Sequence, residues 1–92
     1  MEVINLGADM QFPHVYHKLS GRSGELAYVD KDRQVSVYIE MSGTPDYKFL
    51  VWLDTLKNQK WSNGEDVSAK DFDKIKLAFK SWADEKKIKC QW

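Results

Sequence analysis

The sequence predicts an α+β domain, an antiparallel sheet packed on one long C-terminal helix. Three observations predict it. Arg33–Met41 (RQVSVYIEM) alternates, with Val35, Val37, Ile39 and Met41 on one side and Gln34, Ser36, Tyr38 and Glu40 on the other. That is the period of a half-buried strand. Tyr47–Leu53 (YKFLVWL) is a strongly apolar run of strand length. Ala69–Glu85 carries Phe72, Ile75, Phe79, Trp82 and Ala83 at helical spacing, which makes one apolar stripe.

Taken in order, the chain starts with a segment unlike the rest, residues 1–23. Val3, Ile4 and Leu6 predict a short strand and Gly7-Ala8-Asp9 a turn. Phe12 is forced to be extended by Pro13. His14-Val15-Tyr16-His17 predicts a second short strand, and Gly21-Arg22-Ser23-Gly24 a loop. Residues 24–92 form the sheet–helix core of a single domain spanning 1–92. Glu25–Asp30 is a strand, Lys31-Asp32 a polar turn and Ser42-Gly43-Thr44-Pro45 a loop with both breaker residues. Asp54-Thr55-Leu56 predicts a short helical turn. Ser62–Asp66 is turn-rich, and Ser68 caps the helix, with Asp71 completing only a partial capping box because Asp is shorter than Glu. Lys70, Asp73, Lys74, Lys80 and Asp84 take the helix face opposite the stripe, together with Leu77. Lys87–Trp92 (KIKCQW) alternates again and predicts a terminal edge strand, its lysines outward to discourage edge pairing.

Pairing register follows from loop length. A tight turn at Lys31-Asp32 sets Tyr28 opposite Val35 and Leu26 opposite Val37. A five-residue loop Ser42–Asp46 sets Met41 opposite Tyr47, Ile39 opposite Phe49, Val37 opposite Val51 and Val35 opposite Leu53. Cross-strand partners share a face. Leu26, Tyr28, Val35, Val37, Ile39, Met41, Tyr47, Phe49, Val51 and Leu53 then share one face, beneath the helical stripe. A one-residue slip would break the agreement.

Composition narrows the function classes. With 92 residues, 42% of them apolar and twelve of them aromatic, the chain has the material for one folded core. It carries 14 basic and 14 acidic side chains, so non-specific nucleic-acid binding, which needs a basic excess, is disfavoured. Residues 1–66 net −3 and residues 67–92 net +3. This reads either as a docking polarity or as a solvated, Lys-bearing helix face. The one cysteine, Cys90, permits no internal disulfide. No stretch approaches the ~18 apolar residues of a membrane helix, and MEVINLGADM has no signal-peptide pattern, so the expected location is cytoplasmic.

Chemistry-bearing residues are few. His14 and His17 (HVYH) have a spacing seen in metal sites, but no second His or Cys pair accompanies them, so no metal is expected. Cys90 reads as a small buried hydrophobe beside Ile88 and Trp92 rather than a nucleophile. The carboxylate pairs Asp30/Asp32 and Glu65/Asp66 lie in turns, where they are solvated. Acid–base catalysis needs two carboxylates in contrasting environments. No catalytic residue and no cofactor are expected. The uncovered feature is the second sheet face, with Tyr38, Leu50 and Trp52 directed away from the helix. Either residues 1–6 fold over it or a partner does.

The order of features resembles a family. A Gly-led strand (Gly24–Asp30), a polar turn and a strand with acidic Glu40 near its end come first. An FLVWL strand, Trp61, a turn rich in Gly and acidic residues, a Ser-capped helix opening SAKDFDKI and a closing strand follow. This layout, over about Gly24–Trp92, resembles the small α+β immunity proteins of bacterial polymorphic and contact-dependent toxin systems. The resemblance implies a cytoplasmic, non-enzymatic protein that binds the toxic domain of a cognate effector and blocks it. On that reading Trp52 and Tyr38 are the interface anchors with Leu50 beside them, and Trp61, Glu65 and Asp66 lie nearby. Trp61 serves equally well as a core plug between sheet and helix. The alternative is a small ligand-binding or self-associating domain, such as a homodimer, without catalytic activity.

Overall fold

The computed structural model describes residues 13–31 and 33–92. The strand expected at Val3–Leu6, the turn after it and the cover they would give the outer sheet face lie outside those residues, as does Asp32. The architecture is α+β, as the alternation and the helical stripe predict. Strands β1 (His14–Ser20), β2 (Ser23–Asp30), β3 (Arg33–Met41), β4 (Phe49–Val51) and β5 (Cys90–Gln91) form one curled sheet in the order β1-β2-β3-β4-β5. A 3₁₀ turn, Leu53–Asn58, follows β4, and helix α1, Ala69–Glu85, packs on one face of the sheet.

The N-terminal hairpin is tighter than composition suggests. Ser23 and Gly24 belong to β2 rather than to a loop, Ser20 pairs with Ser23, and only Gly21-Arg22 turn the chain. Gly21 has φ +72°, a conformation that favours glycine. Gly24 is required for another reason: a Cβ there would stand 1.9 Å from the Lys18 carbonyl oxygen of β1.

The β2–β3 register is the expected one, with Leu26 opposite Val37 and Tyr28 opposite Val35. The β3–β4 register is shifted by two residues. Met41 faces Phe49 and Ile39 faces Val51, so the loop is seven residues, 42–48, rather than five. Ser42 organises that loop. Its N–H donates to the Lys48 carbonyl at 3.0 Å, and its hydroxyl accepts from the Thr44 N–H at 3.1 Å and contacts the Tyr47 carbonyl. An even shift preserves facing. Hence Phe49, Val51 and Leu53 are buried as expected, while Tyr47 and Met41 are exposed.

The sheet is not purely antiparallel, because β5 runs parallel to β4. The reason is the crossover. A 17-residue helix is ~25 Å long and carries the chain back along the sheet. The chain then reverses in a Schellman motif, Lys87 N–H to the Asp84 carbonyl and Ile88 N–H to the Ala83 carbonyl, with Lys87 at φ +58°. Only Cys90 and Gln91 of KIKCQW join the sheet. At the start of α1 the capping box is complete, since Ser68 Oγ accepts from the Asp71 N–H while the Asp71 carboxylate accepts from the Ser68 N–H. The core is formed by Leu26, Tyr28, Val37, Ile39 and Phe49 of the sheet, Leu56 of the 3₁₀ turn, and Ile75 and Phe79 of the helix. Burial of each large side chain contributes ~1.5–3 kcal/mol.

Candidate functional site

On β3 the even-numbered residues point away from α1. The alternation that buries Val37 and Ile39 therefore exposes Tyr38. Trp52, one residue beyond β4, donates its N–H to the Tyr38 carbonyl at 3.0 Å, and the two rings meet edge to face with centroids 5.1 Å apart. Tyr38 is 45% exposed and Trp52 41%, so this aromatic pair presents itself to solvent. Leu50, half-buried, pairs with Glu40 on one side and Gln91 on the other, and the Tyr38 hydroxyl donates to Glu40 at 3.3 Å. The structure thus joins Tyr38, Trp52 and Leu50 in one patch on the outer face.

The pair stands as a ridge between two grooves. Tyr38 lines one of about 420 Å³, with Lys18, Glu25, Ser36 and Gln59 around it. Trp52 lines another of about 550 Å³, where α1, the 3₁₀ turn and Trp92 meet. Neither groove contains His14 or His17.

The other expected site residues form a separate group. Trp61 is a core residue, 3% exposed, tilted against Tyr28 with centroids 5.9 Å apart. The Arg33 guanidinium lies 3.8 Å above its ring, and its indole N–H donates to Asp71 at 3.2 Å. Glu65 accepts from Arg33 at 2.8 Å, and Asp66 pairs with Lys60. The bond and charge of Lys60 hold the Asp66 carboxyl below its usual range. Arg33 is five residues from Tyr38 on β3, or roughly 17 Å, and has the opposite facing. Trp61 and Glu65 therefore tie the turn and the helix start to the sheet at its far end, away from the aromatic ridge, and Asp66 closes the turn on Lys60.

His14 and His17 are three residues apart on one strand, so they face opposite sides. His14 stacks on Tyr16, and His17 sits against Phe49 and Trp82. Among the described residues no group of three or more His, Cys, Asp or Glu is placed to hold a metal ion. Cys90 lies opposite Phe49 and against the core, and burial pushes its thiol up to about 11, which suits a small hydrophobe. Among the described residues no helix is long and apolar enough to cross a membrane.

Sequence reasoning missed the second groove's lining. Lys57, Phe72, Lys76, Lys80 and Trp92 come from three separate elements. The available signal was the four-residue spacing of Phe72, Lys76 and Lys80, which puts them in one row on α1. Lys80 is half-buried in this groove rather than on the open back of the helix. Comparison with protein-family models, with curated proteins and with solved structures finds no match.

Proposed function

We propose that this chain is an immunity-type binding protein, which captures the toxic domain of a cognate bacterial effector and blocks it. The observation that carries this reading is the solvent-facing Tyr38–Trp52 pair on a sheet face whose other side is packed on α1. Aromatic side chains offer large contact area, and Tyr and Trp recur among residues that dominate binding energy. Leu50 adds apolar area beside them. Glu65 and Asp66 are already paired with Arg33 and Lys60 and belong at most to a rim.

The test is rescue. The chain is co-expressed with the toxic domain encoded beside its own gene, and growth is followed. Rescue is expected, as is its loss in Trp52→Ala and Tyr38→Ala variants that keep the native circular dichroism. A truncated anchor of this kind costs about 2 kcal/mol of binding or more, ~30-fold in affinity. Failure of the unmodified chain to rescue, or full rescue by both variants, sinks the proposal. A concentration-dependent dimer in light scattering that Trp52→Ala abolishes would assign the face to self-association instead.

A further inference from the structure

The groove of about 550 Å³ between α1, the 3₁₀ turn and Trp92 has three aromatic residues in its lining, Trp52, Phe72 and Trp92. The lining also includes three lysines, Lys57, Lys76 and Lys80, against one acidic side chain, Asp54. Lys76 and Lys80 are one helical turn apart, so their like charges repel. Lys57 joins them, its Nζ 5.2 Å from the centre of the Phe72 ring.

Among the described residues two cations outside the groove are matched by carboxylates. Lys60 pairs with Asp66, and Arg33 contacts Glu65, Asp30 and Asp71. Among the described residues none of Lys57, Lys76 and Lys80 takes part in an ion pair. Three lysines against one side-chain carboxylate, beside three aromatic residues, suit a ligand that is both anionic and apolar. A nucleic acid would meet that description only in part. Its binding draws on many phosphate contacts and a basic surface, whereas this chain has no net charge. A short carboxylate-rich segment needs only a few cations, and an apolar side chain within it has the aromatic residues of the lining to pack against.

We infer that this groove binds an acidic polypeptide segment carrying an apolar side chain. Trp52 lines the groove and also touches Tyr38, so a partner seated on the aromatic ridge extends directly into it. The inference concerns the ligand of the groove and stands whether or not the partner is a toxin.

A nine-residue peptide with four Glu, a central Leu and four Asp is titrated into the ¹⁵N-labelled chain. Saturable shifts are expected at Lys57, Lys76 and Lys80 and at the Trp52 and Trp92 indoles. Affinity falls as salt is raised from about 50 to 300 mM. The double variant Lys76→Glu/Lys80→Glu binds about tenfold or more weakly, and Lys76→Gln/Lys80→Gln is also weakened. The control Lys70→Glu/Lys74→Glu, outside the groove lining, stays within about twofold. The inference is overturned by shifts centred elsewhere or by no saturation up to about a millimolar peptide. Unchanged affinity in both Lys76/Lys80 variants, or tighter binding of an eight-residue oligothymidylate than of the peptide, also overturns it.

Discussion

Replacing Asp71 by Ala is expected to destabilise the domain by about 2–3 kcal/mol, because three parts of the molecule meet on this carboxylate. It accepts from Trp61 Nε1 at 3.2 Å and from the Ser68 N–H at 3.3 Å, and Arg33 stands 3.9 Å away. The bond from the Asp71 N–H to Ser68 Oγ survives the substitution, since it uses backbone. The indole N–H of Trp61, in a residue 3% exposed, loses its acceptor. An orphaned donor of that kind costs roughly 1–3 kcal/mol. Loss of a carboxylate in the first helical turn adds about 0.3–1 kcal/mol. The Arg33 contact adds ~0.5 kcal/mol at most, since both side chains are about one-quarter exposed.

Asp71→Asn separates these contributions. It keeps a carbonyl oxygen for Trp61 and Ser68 and loses only the charge, so its cost is about 1 kcal/mol. In a domain of this size 1 kcal/mol moves the melting temperature by ~4–8 °C. The Ala variant should therefore melt about 10–20 °C lower and the Asn variant about 4–8 °C lower. Urea unfolding followed by far-ultraviolet circular dichroism gives the free energies. In a Trp61→Phe background the donor is absent, and the cost of Asp71→Ala should shrink by about 1–2 kcal/mol. Equal costs for Ala and Asn, or an undiminished cost in the Phe background, would refute the assignment of Asp71 as the acceptor that joins Trp61 to the helix start.

Three further outcomes are expected. Burial pushes the Asp71 carboxyl up, but the bonds from Trp61 and Ser68 and the Arg33 charge outweigh it, leaving the folded-state pKa below the usual value. That contribution to stability is complete above the unfolded carboxyl pKa of about 3.9 and is lost as pH falls through the lower folded value. Urea midpoints in the acid range should therefore fall more steeply for the unmodified chain than for Asp71→Asn. Gly24→Ala would drive a methyl group against the Lys18 carbonyl oxygen and the Leu19 Cα, backbone atoms that cannot turn aside. A cost of about 3 kcal/mol is expected, with loss of amide-exchange protection along β1 first. The Tyr28 hydroxyl is buried with no hydrogen-bond partner among the described residues, so Tyr28→Phe should be neutral or stabilising by up to ~1 kcal/mol in urea unfolding.

What the sequence shows well is facing. Alternation in RQVSVYIEM and the two-residue connection between Asp30 and Arg33 specify the β2–β3 register without further information. The stripe and Ser68 specify α1. Loop length is harder to read. Ser42 lengthens the β3–β4 connection through hydrogen bonds to its neighbours, and an even shift leaves the hydrophobic alternation unchanged, so nothing in the pattern betrays it. Strand direction is equally silent. KIKCQW alternates whether it runs parallel or antiparallel, and only the helical crossover decides. The reversal after α1 was hidden because Lys87, not glycine, takes the left-handed position. Of the candidate site, Tyr38 and Trp52 are legible from parity alone. The groove is not, since its lysines and aromatic residues come from separate elements that only tertiary packing brings together.

The two-residue shift also makes the aromatic ridge. In the five-residue-loop register Tyr38 would face Leu50, and Trp52 would face Ser36 within a longer strand. In the observed register Ile39 faces Val51, which sets Tyr38 opposite Trp52. The Trp52 N–H bonds to β3, and at φ −86°, ψ 69° the chain leaves the sheet for the 3₁₀ turn. The Trp52 carbonyl is then held by the Thr55 N–H and hydroxyl. The indole thus stands at the end of its strand, edge-on to Tyr38 and lining the basic groove, rather than flat within the sheet. Ser42, at the loop end of β3, makes the hydrogen bonds that hold the loop length placing it there. The loop therefore belongs to the candidate site as much as the rings do, because shortening it by two residues would keep every core residue on its face and still separate Tyr38 from Trp52.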